Sequence, residues 1–328
     1  MSLTSPLLPA GVACRLVLAA VLFPSVALSE SPAADQIWLE PSAVASATDS
    51  AGSQAWYAPS IDRVIGQVKK FDGSVVSYVP SGATESATHT ASRVIWIQRG
   101  DVPAAEHSAL TLFRDQKYAE ALRPLLDSLQ ARPPVWRQQF LSMAAAQAAW
   151  RSGRGKIALE LVSQLDRRPL PPMVIGWLPI QWHRAATGAA DDTAAIERLS
   201  DPSAAVRLVA ASWLIASDKR TEAIRTLRQL SAQSATANDQ AGNDQAGNDH
   251  FVRPLAAALL WRVATPVQAK ASSQQWLAQI ESMPMCMQTG PTIALAEKLD
   301  SAGMESESKR LKLSLAETPI APHPDVPR

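Results

Sequence analysis

The chain has 328 residues, enough for two domains of ordinary size, and with 47% hydrophobic and 19% charged residues it can bury a core. Its 31 basic and 30 acidic side chains leave a net charge of +1. That balance excludes the electrostatic footprint of a nucleic-acid binder and of a protein drawn to an anionic membrane surface.

The N-terminus reads as an export signal. Arg15 supplies the positive region and Leu16 to Phe23 an apolar run. Pro24 breaks the run, and Val26-Ala27-Leu28-Ser29 provides the small residues of a cleavage site. Residues 1–29 are therefore expected to be a signal peptide removed after Ser29, leaving an exported chain, periplasmic or secreted. The run is short for a bilayer span. Left uncleaved, it becomes an anchor, the one route by which the chain would meet a membrane. Cleavage removes Cys14 and leaves Cys286 alone, so the mature chain has no internal disulfide and no cysteine cluster for zinc. A lone thiol either pairs with another chain or serves as a small buried apolar residue.

Residues 30–60 are rich in Ser, Ala and Pro and read as a flexible lead-in, with one strand at Ile37-Trp38-Leu39. Residues 61–100 read as a small antiparallel β module. Arg63 to Phe71 and Ser74 to Val79 are β-rich runs separated by Asp72-Gly73, a dipeptide suited to the positive φ angles of a type I′ hairpin turn. Ser81 to Ala91 reads as a polar loop and Arg93 to Ile97 as a third strand. So small a sheet needs cover from Trp38, Trp56 or the helices.

Residues 101–318 change to a helical period. Ala109 and Ala121, Ala146 and Ala158, and Ala211 and Ala223 are each twelve apart. In each pair the first Ala sits mid-helix and a turn follows. The second opens the next helix, and four residues on stands an aliphatic: Leu125, Val162, Leu227. Small residues at those places let paired helices approach closely, and the aliphatic fills the seam to the next pair. Such a helix-turn-helix unit must stack to bury its face. Pro124 falls inside a predicted helix, where it removes a backbone bond to Glu120 and predicts a kink.

The run Phe113-Arg114-Asp115-Gln116-Lys117-Tyr118-Ala119-Glu120-Ala121-Leu122, with Pro133 beyond it, resembles the turn of a tetratricopeptide repeat. Ala146 to Leu165 and Ala211 to Leu230 resemble two more. Between them, roughly 167–200, one helix pair is expected to have drifted out of pattern. Leu199-Ser200-Asp201 followed by Val206-Arg207 and Ala210-Ala211 also resembles the opening of a HEAT repeat, with Asp201 as N-cap and Pro202 as first helical residue. The whole order is similar to uncharacterised exported tetratricopeptide-like repeat proteins of planctomycete bacteria. The resemblance implies a mainly α fold, an α-solenoid of degenerate repeats preceded by the small antiparallel β module, and implies no activity.

Asn238 to Gly242 repeats as Asn243 to Gly247, so 234–250 reads as a low-complexity loop that cannot offset its own ordering entropy. The helical pattern resumes at Phe251, and 319–328 is a proline-rich tail.

Motifs that carry chemistry are missing or incomplete. Gly153-Arg154-Gly155-Lys156 lacks the earlier Gly and the following Ser or Thr of a phosphate loop, and reads as a turn. Ser306 and Lys309 have a Ser-x-x-Lys spacing without its companion motifs, in a charged helical stretch. The five His stand at no metal-ligand spacing, and Asp191-Asp192 reads as a helix start. Catalytic residues, metal ligands and cofactor are therefore assigned as none. Most Trp residues read as fillers between helices. Trp177, Trp182 and the adjoining His183, in the most atypical segment, are the candidates for a partner-binding surface. The expected function is a non-catalytic protein–protein interaction or scaffold module of the bacterial cell envelope, taking a protein or peptide partner. The alternatives are a diverged envelope enzyme or an accessory subunit of one, and a purely structural envelope component.

Overall fold

Strands β1 (Asp35–Leu39), β2 (Asp62–Phe71), β3 (Val75–Pro80), β4 (Ala87–Thr90) and β5 (Val94–Gln98) form one antiparallel sheet in the order β4-β3-β2-β1-β5. The computed structural model describes residues 33–41, 61–183, 192–232 and 248–317. The expected signal peptide, Trp56, most of the loop 234–250 and the tail 319–328 lie outside the described residues.

The expected lead-in strand is the keystone of the sheet. Ile37 pairs with Val64 of β2 on one side and with Ile97 of β5 on the other. Burial alternates along β1, with Asp35, Ile37 and Leu39 turned inward, the period of an extended chain with one face in the core. The inward Asp35 carboxylate accepts the N–H of Val68 at 2.9 Å and of Gly100 at 3.0 Å, tying β2 to the exit from β5.

Two expectations are corrected here. The hairpin turns on Gly73-Ser74, one residue later than expected: Asp72 and Val75 are the bonded pair, with the Asp72 N–H donating to Val75 O at 3.1 Å. Gly73 is not in the positive-φ region, because the Asp72 carboxylate accepts the N–H groups of both Ser74 and Val75 at 2.9 Å and builds the turn from its side chain. The second correction is β4, a strand inside the segment read as a polar loop. It is a half-exposed edge strand of small polar residues, held against β3, where the Tyr78 ring stacks on His89. Short polar edges carry no apolar period for sequence reading to find.

Twelve helices follow among the described residues. They are α1 (Ala104–Arg114), α2 (Tyr118–Gln130), α3 (Val135–Arg151), α4 (Gly155–Leu165), α5 (Pro172–Ile175) and α6 (Asp192–Glu197). They continue as α7 (Ala204–Leu214), α8 (Arg220–Ala232), α9 (Asp249–Trp261), α10 (Pro266–Glu281), α11 (Met285–Ser301) and α12 (Glu305–Glu317). Neighbours pack in sequence: α1 on α2, α2 on α3, α3 on α4, α7 on α8, α8 on α9, α10 on α11 and α11 on α12. The mainly helical class with a small sheet is thus as expected.

Three of the turns share one geometry. Gln116, Gly153 and Gly303 each stand two residues past a helix end with φ of 60°, 76° and 75°. Behind them the N–H groups of Lys117, Arg154 and Met304 donate to Leu112, Ala149 and Leu299 at 3.0, 2.8 and 2.9 Å. This is the Schellman closure, which satisfies the last carbonyls of a helix and needs a left-handed residue. The three Ala pairs are all fully buried, as are Leu125, Val162 and Leu227. The turn from α7 to α8 departs from the pattern: it is longer and has no left-handed residue, and the Ser217 hydroxyl accepts the Lys219 N–H instead. Helix α7 also starts later than expected. Ser203, not Asp201, is its N-cap and accepts the Val206 N–H at 3.0 Å. Asp201 is engaged elsewhere, by the Ser203 N–H and by Arg198.

Sheet and helices share one core. Trp96 of β5 meets Phe140 of α3 edge-on at 5.2 Å and stacks on Trp177 at 5.9 Å. Just past β5, Arg99 reaches Glu106 of α1 at 3.5 Å, and the buried Glu106 accepts two bonds from Arg137 of α3 at 2.7 and 2.5 Å. Removing one partner of so buried a pair leaves the other uncompensated. At the opposite side, the Glu40 carboxylate accepts the Met285 N–H at the start of α11.

Candidate functional site

Helices α3, α7 and α11 are buried on most of their sides, whereas α2, α4 and α8 bury a stripe. The reason is a stretch of irregular chain packed among the inner helices. From Leu170 to Trp182 every residue but one is buried, although the segment holds only the single turn α5. For 167–183 this corrects the expected drifted helix pair over 167–200, of which α6 is a helical part. Pro169, Pro171, Pro172 and Pro179 remove the N–H groups a longer helix needs, so the chain makes α5 and a few turns, with Leu178 donating to Ile175 O and Ile180 to Leu178 O, and is otherwise irregular. Residues 184–191 lie outside the described set.

Buried main chain without helix or strand partners must find hydrogen bonds elsewhere, and side chains of the inner helices provide them. At the entry, Asn248 accepts the Leu170 N–H at 2.8 Å and donates to Arg168 O at 2.9 Å and to the Asp166 carboxylate at 3.0 Å. Burial raises the Asp166 pKa, against the Ser203 hydroxyl and Asn248 amide that donate to it. In the middle, the Gln147 amide of α3 donates to both Trp177 O and Leu178 O at 3.0 Å. The Trp213 indole of α7 donates to Pro179 O at 2.8 Å, and the Ser212 hydroxyl accepts the Gln181 N–H at 3.1 Å. At the exit, Arg262 donates to Gln181 O at 2.5 Å and to His183 O at 3.3 Å, and His183 Nδ1 lies 2.7 Å from Glu297 Oε1.

Close approach at two points depends on glycine. A Cβ at Gly290 of α11 would collide with the Trp182 indole, and one at Gly176 would collide with the Cys286 carbonyl. Cys286 itself is buried, its thiol pushed up by burial and by the nearby Glu40. It therefore has the character of a small apolar core residue.

The expected partner-binding residues are placed differently from a surface patch. Trp177 is 7% and Trp182 3% exposed, so both indoles belong to the core. Trp177 stacks on Phe113 at 5.8 Å as well as on Trp96, and Phe140 meets it edge-on at 5.1 Å. A partner approaching this conformation meets neither ring. His183 is the exception, half-buried at the segment's exit. In the helical half Trp136, Trp150, Trp213 and Trp261 are buried between helices as expected; Trp150 and Trp213 stack at 5.9 Å with planes 3° apart. Ser306 and Lys309 sit on the exposed face of α12. Among the described residues no group of three or more His, Cys, Asp and Glu could hold a metal ion, and no helix is long and apolar enough to cross a membrane.

Sequence reasoning missed Gln147, Ser212, Asn248, Arg262 and Glu297. One signal was present. Gln147 interrupts the apolar run from Met143 to Trp150, and a lone amide inside a helix buried all round needs a partner.

No family model matches this chain, no curated protein is similar to it, and no solved structure resembles its fold at a significant level.

Proposed function

We propose that the chain is a non-catalytic protein–protein interaction or scaffold module of the bacterial cell envelope, built as an α-solenoid of degenerate tetratricopeptide-like repeats and exported by its N-terminal signal. The recurrent Schellman turn at Gln116, Gly153 and Gly303, with small buried residues across each turn, is the observation that carries this reading. Repeated helix pairs offer extended binding surfaces rather than a single reaction centre. The near-neutral charge agrees with a protein or peptide partner.

The test is affinity purification of the tagged full chain from envelope fractions, together with N-terminal sequencing of the recovered protein. The reading expects a chain beginning at Glu30 and a discrete partner in fixed stoichiometry. A chain that keeps Met1 and resides in the cytosol, or that recovers no stoichiometric partner, overturns it. The second reading, an envelope enzyme or accessory subunit, rests on the His183–Glu297 pair, a carboxylate-oriented imidazole.

A further inference from the structure

We infer that the cleft between the start of α3 and the end of α4 is a binding site for a short acidic peptide segment of a partner, one that carries a carboxylate side chain beside an aliphatic one. The inference rests on the interaction-module reading and adds the partner's chemistry to it.

The cleft has a volume of about 380 Å³, within the range of ligand sites. Val135 of α3, 54% exposed, and the half-buried Leu161 and Leu165 of α4 give it an apolar side. Its charge is of one sign. Among the described residues Arg167 and Arg168, exposed just past α4, are the only charged side chains of the lining, and neither makes an ion pair. The nearest carboxylates along the chain are engaged elsewhere. Glu160 accepts from Gln164 and Arg198, and Asp166 accepts from Ser203 and Asn248. Helix α3 adds to the same sign. It starts at Val135 with no side-chain cap and no acidic residue in its first turn, so the positive end of its dipole has no local counter-charge.

Gln139 points to a ligand on separate grounds. It is the buried residue of the lining, 7% exposed. Its Nε2 donates one long bond to Pro169 O at 3.3 Å, and its Oε1 accepts nothing. Turning the amide over does not help, because the oxygen would then meet the Pro169 carbonyl and the nitrogen would be unmatched. Two turns along the same helix, Gln147 is engaged through both its nitrogen and its oxygen. A buried acceptor without a donor is costly, and few persist in a folded chain. What Gln139 lacks is an N–H, and a peptide main chain supplies it. The acidic side chain of the same peptide meets the guanidinium groups, which match a carboxylate two bonds at a time. Its aliphatic neighbour covers Leu161 and Leu165. Clustered arginines are a recurrent means of recognising acidic motifs.

The backbone that carries Arg168 is fixed before a partner arrives. Asn248 bonds Arg168 O and the Leu170 N–H on either side of Pro169. The hairpin turn lies against the proline so closely that a Cβ on Gly73 would stand 3.2 Å from Pro169 Cβ. A site so held has less to order on binding.

The test is isothermal titration calorimetry of the full chain with two acetylated and amidated peptides, Glu-Leu-Glu-Leu-Glu and Gln-Leu-Gln-Leu-Gln. The acidic peptide is expected to bind one to one and at least about tenfold tighter than its neutral twin. Arg167→Gln/Arg168→Gln changes two exposed side chains, so it should keep its helix content and cooperative unfolding while losing that advantage. Gln139→Leu removes the acceptor and should weaken both peptides about fivefold, the worth of one hydrogen bond. If Gln139→Leu does not fold, the arginine variant decides. Equal binding of the two peptides, no saturation up to about 1 mM, or an advantage that survives Arg167→Gln/Arg168→Gln overturns the proposal. An envelope partner that binds wild type and the arginine variant alike sinks this site and leaves the module reading standing. Selective binding of the acidic peptide without any stoichiometric envelope partner sinks the module reading and leaves the site.

Discussion

The Ser308 hydroxyl donates a 2.9 Å hydrogen bond to the carbonyl oxygen of Ala296, twelve residues earlier and across the turn from α11 to α12. Both residues are buried, Ser308 completely. The left-handed residue between them is Gly303, in the same place as Gln116 between Ala109 and Ala121 and Gly153 between Ala146 and Ala158. Ala296 and Ser308 are therefore one more pair of the twelve-residue series. Sequence comparison of alanines passed over it because its second member is Ser. Here alone a hydrogen bond records how closely the two helices approach.

That seam has no room for a larger side chain. Ala158→Leu is expected to overpack α3 against α4 and cost about 1–3 kcal/mol in chemical denaturation. Ser308→Ala loses only the bond and should cost about 0.5–1.5 kcal/mol. If Ala121→Leu, Ala158→Leu and Ala223→Leu are all neutral, the twelve-residue spacing is coincidence in an Ala-rich chain.

The three left-handed turn residues respond in opposite directions. Gln116 occupies a region in which a side chain costs about 1 kcal/mol relative to glycine. Gln116→Gly should raise the stability by about that amount, whereas Gly153→Ala and Gly303→Ala should lower it similarly. Thermal unfolding of the three variants reads the signs. A uniform response would mean that the turns adapt and the shared geometry is not what stabilises them.

Asn248 joins α9 to the entry of the irregular segment through three hydrogen bonds. Asn248→Ala leaves the Leu170 N–H and the Arg168 carbonyl unmatched and should cost about 2–4 kcal/mol. Asn248→Asp adds a second carboxylate beside the buried Asp166, so its deficit should grow as pH rises through the acid range. Urea titrations at two pH values test both. A loss below about half a kcal/mol for the Ala variant would mean that water replaces the amide.

Glu40 supplies a pH dependence of known sign. Burial raises its pKa above the ordinary 4.5, outweighing the opposing Met285 N–H and Arg93. The folded state holds the proton to higher pH than the unfolded state does. The associated stability is full below the ordinary value and lost as pH rises through the folded one. Glu40→Gln keeps an acceptor for the Met285 N–H and cannot ionise. Its stability relative to wild type should therefore climb from pH 4 upward and level off once Glu40 is ionised in both states. A difference that stays flat across that range would return Glu40 to an ordinary carboxylate.

Local chemistry was legible in the chain from the start. Runs of β-forming residues marked Ile37-Trp38-Leu39 and the segments that became β2, β3 and β5, and the helical period marked the repeat helices, because both signals come from neighbours along the chain. The recurrence of Ala at twelve residues located the close seams, since only small side chains fit where two helices cross near a tight turn. The tertiary structure alone decided what fills the space among the inner helices. Pro169, Pro171, Pro172 and Pro179 were a local signal against ordinary helix over 167–183 that the expectation of a drifted helix pair passed over, and no local rule says that a proline-rich stretch turns inward rather than outward. Its burial depends on Gln147, Ser212, Trp213, Asn248 and Arg262, up to about 80 residues away in the chain. Each hydrogen-bonds a backbone atom, which carries no mark of its own in sequence. For the same reason Trp177 and Trp182 read as candidates for a partner surface and lie in the core. An indole in an irregular segment has the same sequence signature whether the segment lies on the surface or inside, and only long-range packing separates the two.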